Sequence, residues 1–156
     1  MSNIKFVKLS TIEEDDLIQL MNNERVGRLL PLLTKEFTKE DCREFILEKK
    51  KMWDEFGYGP FAFVINGEFA GWGGLQPENG DADFALILHP RFWGWGKRIF
   101  TKVKDWAFEE LDIDSITVLF PLTRKNSKVL LRFGFFEDGN LSINNYKFNR
   151  FRLLKN

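Results

Sequence analysis

The stretch Asp81-Ala82-Asp83-Phe84-Ala85-Leu86-Ile87-Leu88, continued by His89-Pro90-Arg91-Phe92-Trp93-Gly94-Trp95-Gly96-Lys97, decides how this chain is read. Its first eight residues form an apolar, β-favouring run that Pro90 ends. After the two glycines, Ile99, Val103, Trp106 and Ala107 recur at helical spacing. Ser115 to Phe120 is β-rich again. Strand, helix and strand in that order predict a parallel pair joined by a crossover. Gly94 and Gly96 let backbone approach a ligand closely, and the helix behind them offers unpaired N–H groups and a positive dipole end. Arg91, Lys97, Arg98, Lys102 and Lys104 crowd the same end. A phosphate or pyrophosphate suits such a loop; a glycine-rich turn with solvated cations is the alternative. The stretch is neither a Walker loop, which ends in Gly-Lys-Ser or Gly-Lys-Thr, nor a full dinucleotide fingerprint.

Outward from this stretch the elements follow in order. Ile4 to Leu9 reads as a strand, and Ser10-Thr11-Ile12-Glu13 as a capping box before a helix with Leu17, Leu20 and Met21 on one side. Pro31 breaks any helix between Arg25 and Phe37. Thr38-Lys39-Glu40-Asp41 opens a second helix carrying Cys42, Phe45, Ile46, Lys49 and Trp53, and Gly57 ends it. Pro60–Ile65, Asn66-Gly67 and Glu68–Leu75 give the strongest hairpin signal, and a second turn over Pro77 to Gly80 leads into Asp81–Leu88. Asn126 to Phe133 predicts a short helix closed by Gly134, and Phe135–Gly139 and Tyr146–Leu153 predict two last strands. The order is β-α-α-β-β-β-α-β-α-β-β, a mixed sheet with helices on its faces. With no repeat, linker or low-complexity segment, residues 1–156 are expected to form one domain.

Composition narrows the function. Seventeen Phe, five Trp and two Tyr predict a core built largely from rings. Lys plus Arg and Asp plus Glu are both 23, so the basic excess of a nucleic-acid binder is absent and no nucleic-acid partner is expected. Cys42 is the only cysteine and His89 the only histidine, which excludes a disulfide and a Cys- or His-rich metal site. The start, Met1 to Lys5, lacks the apolar core of a secretion signal, and no run is long enough to span a membrane. The expectation is a cytoplasmic protein without membrane or metal.

Taken together, the element order and several short motifs resemble the GCN5-related N-acetyltransferases, most closely the branch that acetylates ribosomal-protein N-termini. The residues that carry this resemblance are Gly71, Gly74-Leu75, Asp83, His89-Pro90, Trp93-Gly94-Trp95-Gly96 and Gly134-Phe135, with Phe37 to Asp41 and Gly57 to Ala62 fitting earlier in the chain. The resemblance implies a mixed α/β (α+β) fold, with a mostly antiparallel sheet of about seven strands flanked by about four helices. It implies acetyl-coenzyme A as co-substrate and a small-molecule or peptide amine as acceptor, the protein being a monomer or homodimer. The pantetheine arm would lie along Leu86, Ile87 and Leu88, and the pyrophosphate on the loop Trp93, Gly94, Trp95, Gly96, Lys97 and Arg98, with Asn126 nearby. Two registers satisfy the loop, one through Trp93-Gly94-x-Gly96 and one through Arg91-x-x-Gly94-x-Gly96. Arg98 stands where the family has Gly or Ala, and the tyrosine many members use as general acid falls on Leu130.

Acetyl transfer to an amine requires a base, since an α-amine has a pKa of about 8 and a lysine about 10. Asp83 matches the acidic residue of the family's fourth strand and is the candidate base through a water, with Asp81 in reserve. A solvated charge on a half-exposed strand is the other reading of Asp83. The Leu88 N–H is a candidate donor to the developing oxyanion. Ser127 is the candidate acid, or a helix N-cap. His89 reads as structural, at a strand end before proline. Trp72 sits among three glycines, which suggests an acceptor floor that something approaches closely. Lys147, Arg150, Arg152 and Lys155 make a basic edge for an acidic acceptor or a guarded edge strand. The rival function is an acyl-coenzyme A-binding sensor without turnover.

Overall fold

Three two-residue turns set the register of the sheet. At Asn66-Gly67, Asn79-Gly80 and Asn144-Asn145 both residues have positive φ, as the twist of a type I′ hairpin requires. In the computed structural model, which describes residues 3–124 and 126–156, these turns join β2 (Pro60–Ile65) to β3 (Glu68–Glu78), β3 to β4 (Asp81–Leu88), and β6 (Phe136–Ile143) to β7 (Tyr146–Leu154). With β1 (Ile4–Val7) and β5 (Ser115–Pro121) they form one seven-stranded sheet in the order β1-β2-β3-β4-β5-β7-β6. All neighbours are antiparallel except β4 and β5, so the crossover read from the sequence is present.

The helices cover both faces. On one, α1 (Glu14–Met21) and α3 (Lys39–Phe56) bury Leu17, Leu20, Met21, Cys42 and Phe45 against Ala62 and Trp72. On the other, α4 (Gly96–Glu109) and α5 (Lys128–Arg132) bury Ile99, Phe100, Val103, Ala107 and Leu130 against Phe63, Leu75, Ile116 and Phe151. The rings pack edge to face, Phe45 on Trp72 and Phe84 on Phe100 among them, which suits their quadrupoles.

The capping box at Thr38 and Asp41 forms, and Gly57 closes α3 in the left-handed region. The one expected at Ser10 to Glu13 does not. Leu9–Thr11 instead makes a 3-10 turn, and α1 starts at Glu14 without a side-chain cap. There are five helices rather than about four, because Asn23 accepts hydrogen bonds from the Arg25 and Val26 amides and starts a one-turn α2 (Glu24–Gly27) before Pro31. The turn expected over Pro77 to Gly80 is tighter, since Pro77 still pairs with Ala82 within the ladder.

The glycines of β3 are there for β4. A Cβ at Gly71 would lie 2.0 Å from the Ile87 carbonyl oxygen, and one at Gly73 would lie 2.4 Å from that of Ala85. Gly71 also has φ +154, a conformation L side chains rarely adopt. Gly71→Ala is therefore expected to destabilise the protein by about 3 kcal/mol, because only backbone can yield. Gly94→Ala, where a Cβ meets nothing within 4 Å, should stay within about 0.5 kcal/mol of the parent. Urea melts of the two variants check the contrast.

Candidate active site

The ladder between β4 and β5 is short. It pairs Ala82 with Ile116 and Asp83 with Thr117, while β4 runs on to Leu88 and β5 to Pro121. Past Asp83 the two strands therefore part. Their free groups can be assigned by alternation. The Ile87 and Ala85 carbonyls lie against β3 and the His89 N–H donates to Ala70 O at 2.8 Å, so the N–H and C=O of Leu86 and Leu88 point into the gap. The Leu88 carbonyl is already taken, because the Trp93 indole N–H donates to it at 2.9 Å. What β4 still offers at that point is the Leu88 N–H, and an unpaired buried N–H seeks a partner.

The loop behind β4 is built to end a strand and start a helix. His89 caps a 3-10 turn over Pro90–Trp95, its Nδ1 accepting from the Arg91 N–H at 3.3 Å, so its duty is structural as expected. Gly96 then opens α4, whose first turn holds no acid and no side-chain cap. The Gly96 N–H is used within the chain, donating to the Trp93 carbonyl, so what this end offers an anion is the positive end of the α4 dipole. Gly94 has open space where its Cβ would be, whereas a Cβ at Gly96 would press on Leu86 at 3.3 Å. Nothing within the chain demands glycine at 94, which fits a group approaching from outside.

The cations expected to crowd this end disperse. Arg91 pairs with Glu68 at 3.2 Å, Lys104 with Asp105 at 3.8 Å, and Arg98 lies over the Trp95 ring at 4.7 Å. Lys102 lines a separate open cavity of about 440 Å³ with Phe6, Phe61 and Trp106. Lys97 remains exposed at the mouth of α4. Trp93 is 42% exposed and carries Arg25, at the start of α2, over its ring at 4.7 Å.

Asp83 is not a solvated charge. It is 8% exposed, and its carboxylate accepts a hydrogen bond from the Thr117 hydroxyl at 2.8 Å. Burial pushes its pKa up to about 7; the Thr117 bond pulls the other way, and the nearby Glu78 and Asp81 add to the rise. Desolvation wins because, among the described residues, no cation pairs with it. The reserve residue Asp81 is already engaged, held by both terminal nitrogens of Arg152 at 2.9 and 3.2 Å. Arg152 also binds Asp138 and Ser115, and Arg150 binds Asp138, so two of the four residues in the basic tail are tied up inside the sheet. Trp72 is no acceptor floor either. It is 6% exposed, with its indole N–H on Met21 Sδ at 3.4 Å, in the core under α1 and α3.

Beyond β5, Ser127 stands at the N-cap position of α5 but its side chain makes no cap bond. Asn126 is exposed in the preceding loop, and Leu130 is buried in the core. Sequence reasoning missed Thr117. The alternation of Ile116 and Val118 puts Thr117 on the Asp83 face of β5, but the register that brings it to Asp83 is not written in the strand.

The family model described as the acetyltransferase (GNAT) domain matches residues 6–135. The chain belongs to the GNAT acetyltransferases. Solved members share its fold at low identity. An acetyltransferase from Bacillus anthracis has a TM-score of 0.72 at 15% identity, covering 99% of this chain and 95% of that one. The acetyltransferase from Agrobacterium tumefaciens reaches 0.76 at 17% identity, over 96% and 90%. The Campylobacter jejuni N-acetyltransferase PseH, solved in complex with acetyl coenzyme A, reaches 0.63 at 16% identity, over 99% and 100%. No curated protein sequence matches. Among the described residues of this GNAT chain, no helix is long and apolar enough to cross a membrane and no group of three or more His, Cys, Asp or Glu could hold a metal ion.

The raised pKa of Asp83 has a sign that can be tested. The folded protein holds a proton on Asp83 up to about pH 7, whereas the unfolded chain releases it at about 3.9. Between these values the native state binds more protons, so stability falls as pH rises and the full cost is present above about 7. Asp83→Asn should therefore gain on its parent by a few kcal/mol between pH 4 and pH 8, since each tenfold rise in proton affinity is worth about 1.4 kcal/mol. Paired urea melts at the two pH values measure it; a constant difference would mean an ordinary carboxylate.

Proposed function

We propose that this GNAT protein, read as one domain over residues 1–156, moves an acetyl group from acetyl-coenzyme A to a primary amine, with Asp83 as the base. Asp83 itself carries the reading: a buried carboxyl, without a cation partner among the described residues, whose pKa is pushed up to about 7 where β4 and β5 part. A base with that pKa is half-ionised at neutral pH and can take a proton from a bound amine, directly or through a water. Motif order resembles the ribosomal-protein N-terminal branch, and on that reading the acceptor is an α-amine.

Acetyl-coenzyme A supplies a thioester carbonyl open to attack by a neutral amine. The residues around the gap suit the rest. The free N–H groups of Leu86 and Leu88 can take the amides of the pantetheine arm as an added strand, and that of Leu88 faces the charge that develops on the carbonyl oxygen. The positive dipole end of α4, with Gly94 and Lys97, suits the pyrophosphate. Arg98, stacked over Trp95 of the same loop, is a further cation for that place. A free thiol with a pKa near 8.5 leaves without much help, so a buried Leu130 in the tyrosine's place is tolerable. That same Leu130 is what favours the second reading, cofactor binding without turnover, and the two are separated by activity.

Two variants test the proposal. Asp83→Asn should lower kcat/KM by about 10²–10⁴-fold, the usual worth of a general base, with the affinity for acetyl-coenzyme A nearly unchanged. The parent's log kcat/KM should rise through an inflection near 7 that this variant lacks. Equal rates in both would leave Asp83 a structural residue. Gly94→Val should abolish the rise in melting temperature that millimolar acetyl-coenzyme A gives the parent, while the ligand-free melt stays cooperative. A parent that shows no such rise refutes the cofactor assignment.

A further inference from the structure

The face of the sheet that carries Asp83 holds a second titratable group that acetyl transfer itself does not use. Gln76 is directly opposite Asp83, Gly74 opposite Ala85, and Trp72 opposite Ile87 across β3 and β4, so the side chains of Trp72, Gln76 and Asp83 share that face. Lys49 comes down onto it from α3. Its Nζ donates to Gln76 Oε1 and lies 5.0 Å from the Phe45 ring centroid and 5.4 Å from that of Trp72. Reaching both Trp72 and Gln76 puts the ammonium over the β3 position between them, Gly74, which has no side chain. Its partner Gln76 is the cross-strand neighbour of Asp83, so the two groups are linked through one residue pair of the sheet.

The ammonium is poorly compensated there. Its neighbour Lys50 reaches solvent and pairs with Asp54 at 3.7 Å. Lys49 is half-buried and, among the described residues, has no carboxylate at ion-pair distance; Glu48 and Glu78 act on it only from further off. Burial accordingly holds its pKa below the usual lysine range. One amide oxygen and two ring faces satisfy only part of a group with three donors. Two other cations on this sheet face, Arg150 and Arg152, are already bound to Asp138 and Asp81.

Resting on the acetyl transfer proposed above, we infer that Lys49 is the seat for an anionic group of the acceptor. The acceptors are then primary amines that carry a carboxylate or a phosphate of their own. A polyamine or a plain alkylamine would bring a second cation, or nothing, to a half-buried ammonium. An amine with an anionic arm places the arm on Lys49 and the nitrogen toward Asp83, which orients the nucleophile as well as binding it.

Thiol release from acetyl-coenzyme A with matched acceptors tests this. β-Alanine against β-alaninamide reads a carboxylate, and O-phosphoethanolamine against ethanolamine reads a phosphate. The parent should prefer the anionic member of at least one pair. Lys49→Met should reduce that preference about 10- to 100-fold, the worth of a hydrogen bond to a charged group, through KM rather than kcat. Lys49→Arg should keep most of the preference, which answers a folding defect at this site, and Lys50→Gln should keep all of it. No preference in the parent, or a preference that survives Lys49→Met, overturns the inference and leaves the acetyl transfer standing. If acetyl-coenzyme A raises the melting temperature but no amine releases thiol, the same four amines are titrated calorimetrically into the coenzyme A-bound protein. Tighter binding of an anionic amine, lost in Lys49→Met, supports the inference; equal binding within both pairs overturns it. A parent that acetyl-coenzyme A does not stabilise at all loses acetyl transfer and this inference together.

Discussion

The parting of β4 from β5 after only two residue pairs is the constraint on which the rest depends. A parallel ladder that continued to Leu88 would satisfy every backbone group and leave no site. The strand cannot relieve its open edge by sliding, because its other edge is locked. Gly71 and Gly73 let the Ile87 and Ala85 carbonyls come in where a Cβ would stand, and the type I′ turn at Asn79-Gly80 fixes the register from its far end. Rigid on one side and unpaired on the other, β4 presents polar backbone to a gap at a fixed height above Asp83. Trp93 adds a refinement: by taking the Leu88 carbonyl it leaves the N–H as the free group, a donor and not an acceptor.

The electrostatics of the site turn on which carboxylate receives the arginine. Asp81 and Asp83 are one pleat apart on the same face of β4, and the chain has a guanidinium within reach of only the first. Arg152, opposite Thr117 on β7, makes a two-pronged contact with Asp81. Had it reached Asp83, the nearby positive charge would hold that carboxyl ionised and useless as a base near neutral pH. Thr117 gives Asp83 a single hydroxyl instead, enough to orient the carboxylate but not enough to offset its burial. Asp81, partnered and nearer solvent, then helps hold the Asp83 proton by repulsion. The division of labour is set by sheet register, not by residue type.

Much of this fold is legible in the sequence. Turn chemistry gave away the hairpins, because Asn-Gly has few alternatives to a type I′ turn, and the Thr38 capping box and Gly57 bounded the long helix. The gap was foreseen only through family likeness; no residue of β4 or β5 announces how far they pair. Local cues failed where a neighbour decided the outcome. Ser10 to Glu13 has the letters of a capping box, but the chain turns there in a 3-10 conformation. The glycines around Trp72 read as room for a ligand, yet the close approach comes from β4 itself and Trp72 is core. The basic tail read as an edge for an acidic acceptor or a guarded edge strand, yet β7 lies between β5 and β6 and two of its arginines are used inside the sheet.

This last correction bears on recognition. Sequence counts every cation equally, while the fold spends them unequally. Arg91 and Lys104 meet acids, Arg25 and Arg98 lie on indole rings, and Arg150 and Arg152 lock β6 and β7 to the sheet. Exposed lysines such as Lys97 are hydrated and give a ligand little beyond long-range attraction. A cation already stripped of part of its water has less to lose on meeting an anion, so each contact it makes is worth more. On the acceptor assignment inferred above, the weight of discrimination falls by that measure on the partly desolvated Lys49, and a net charge of zero conceals it.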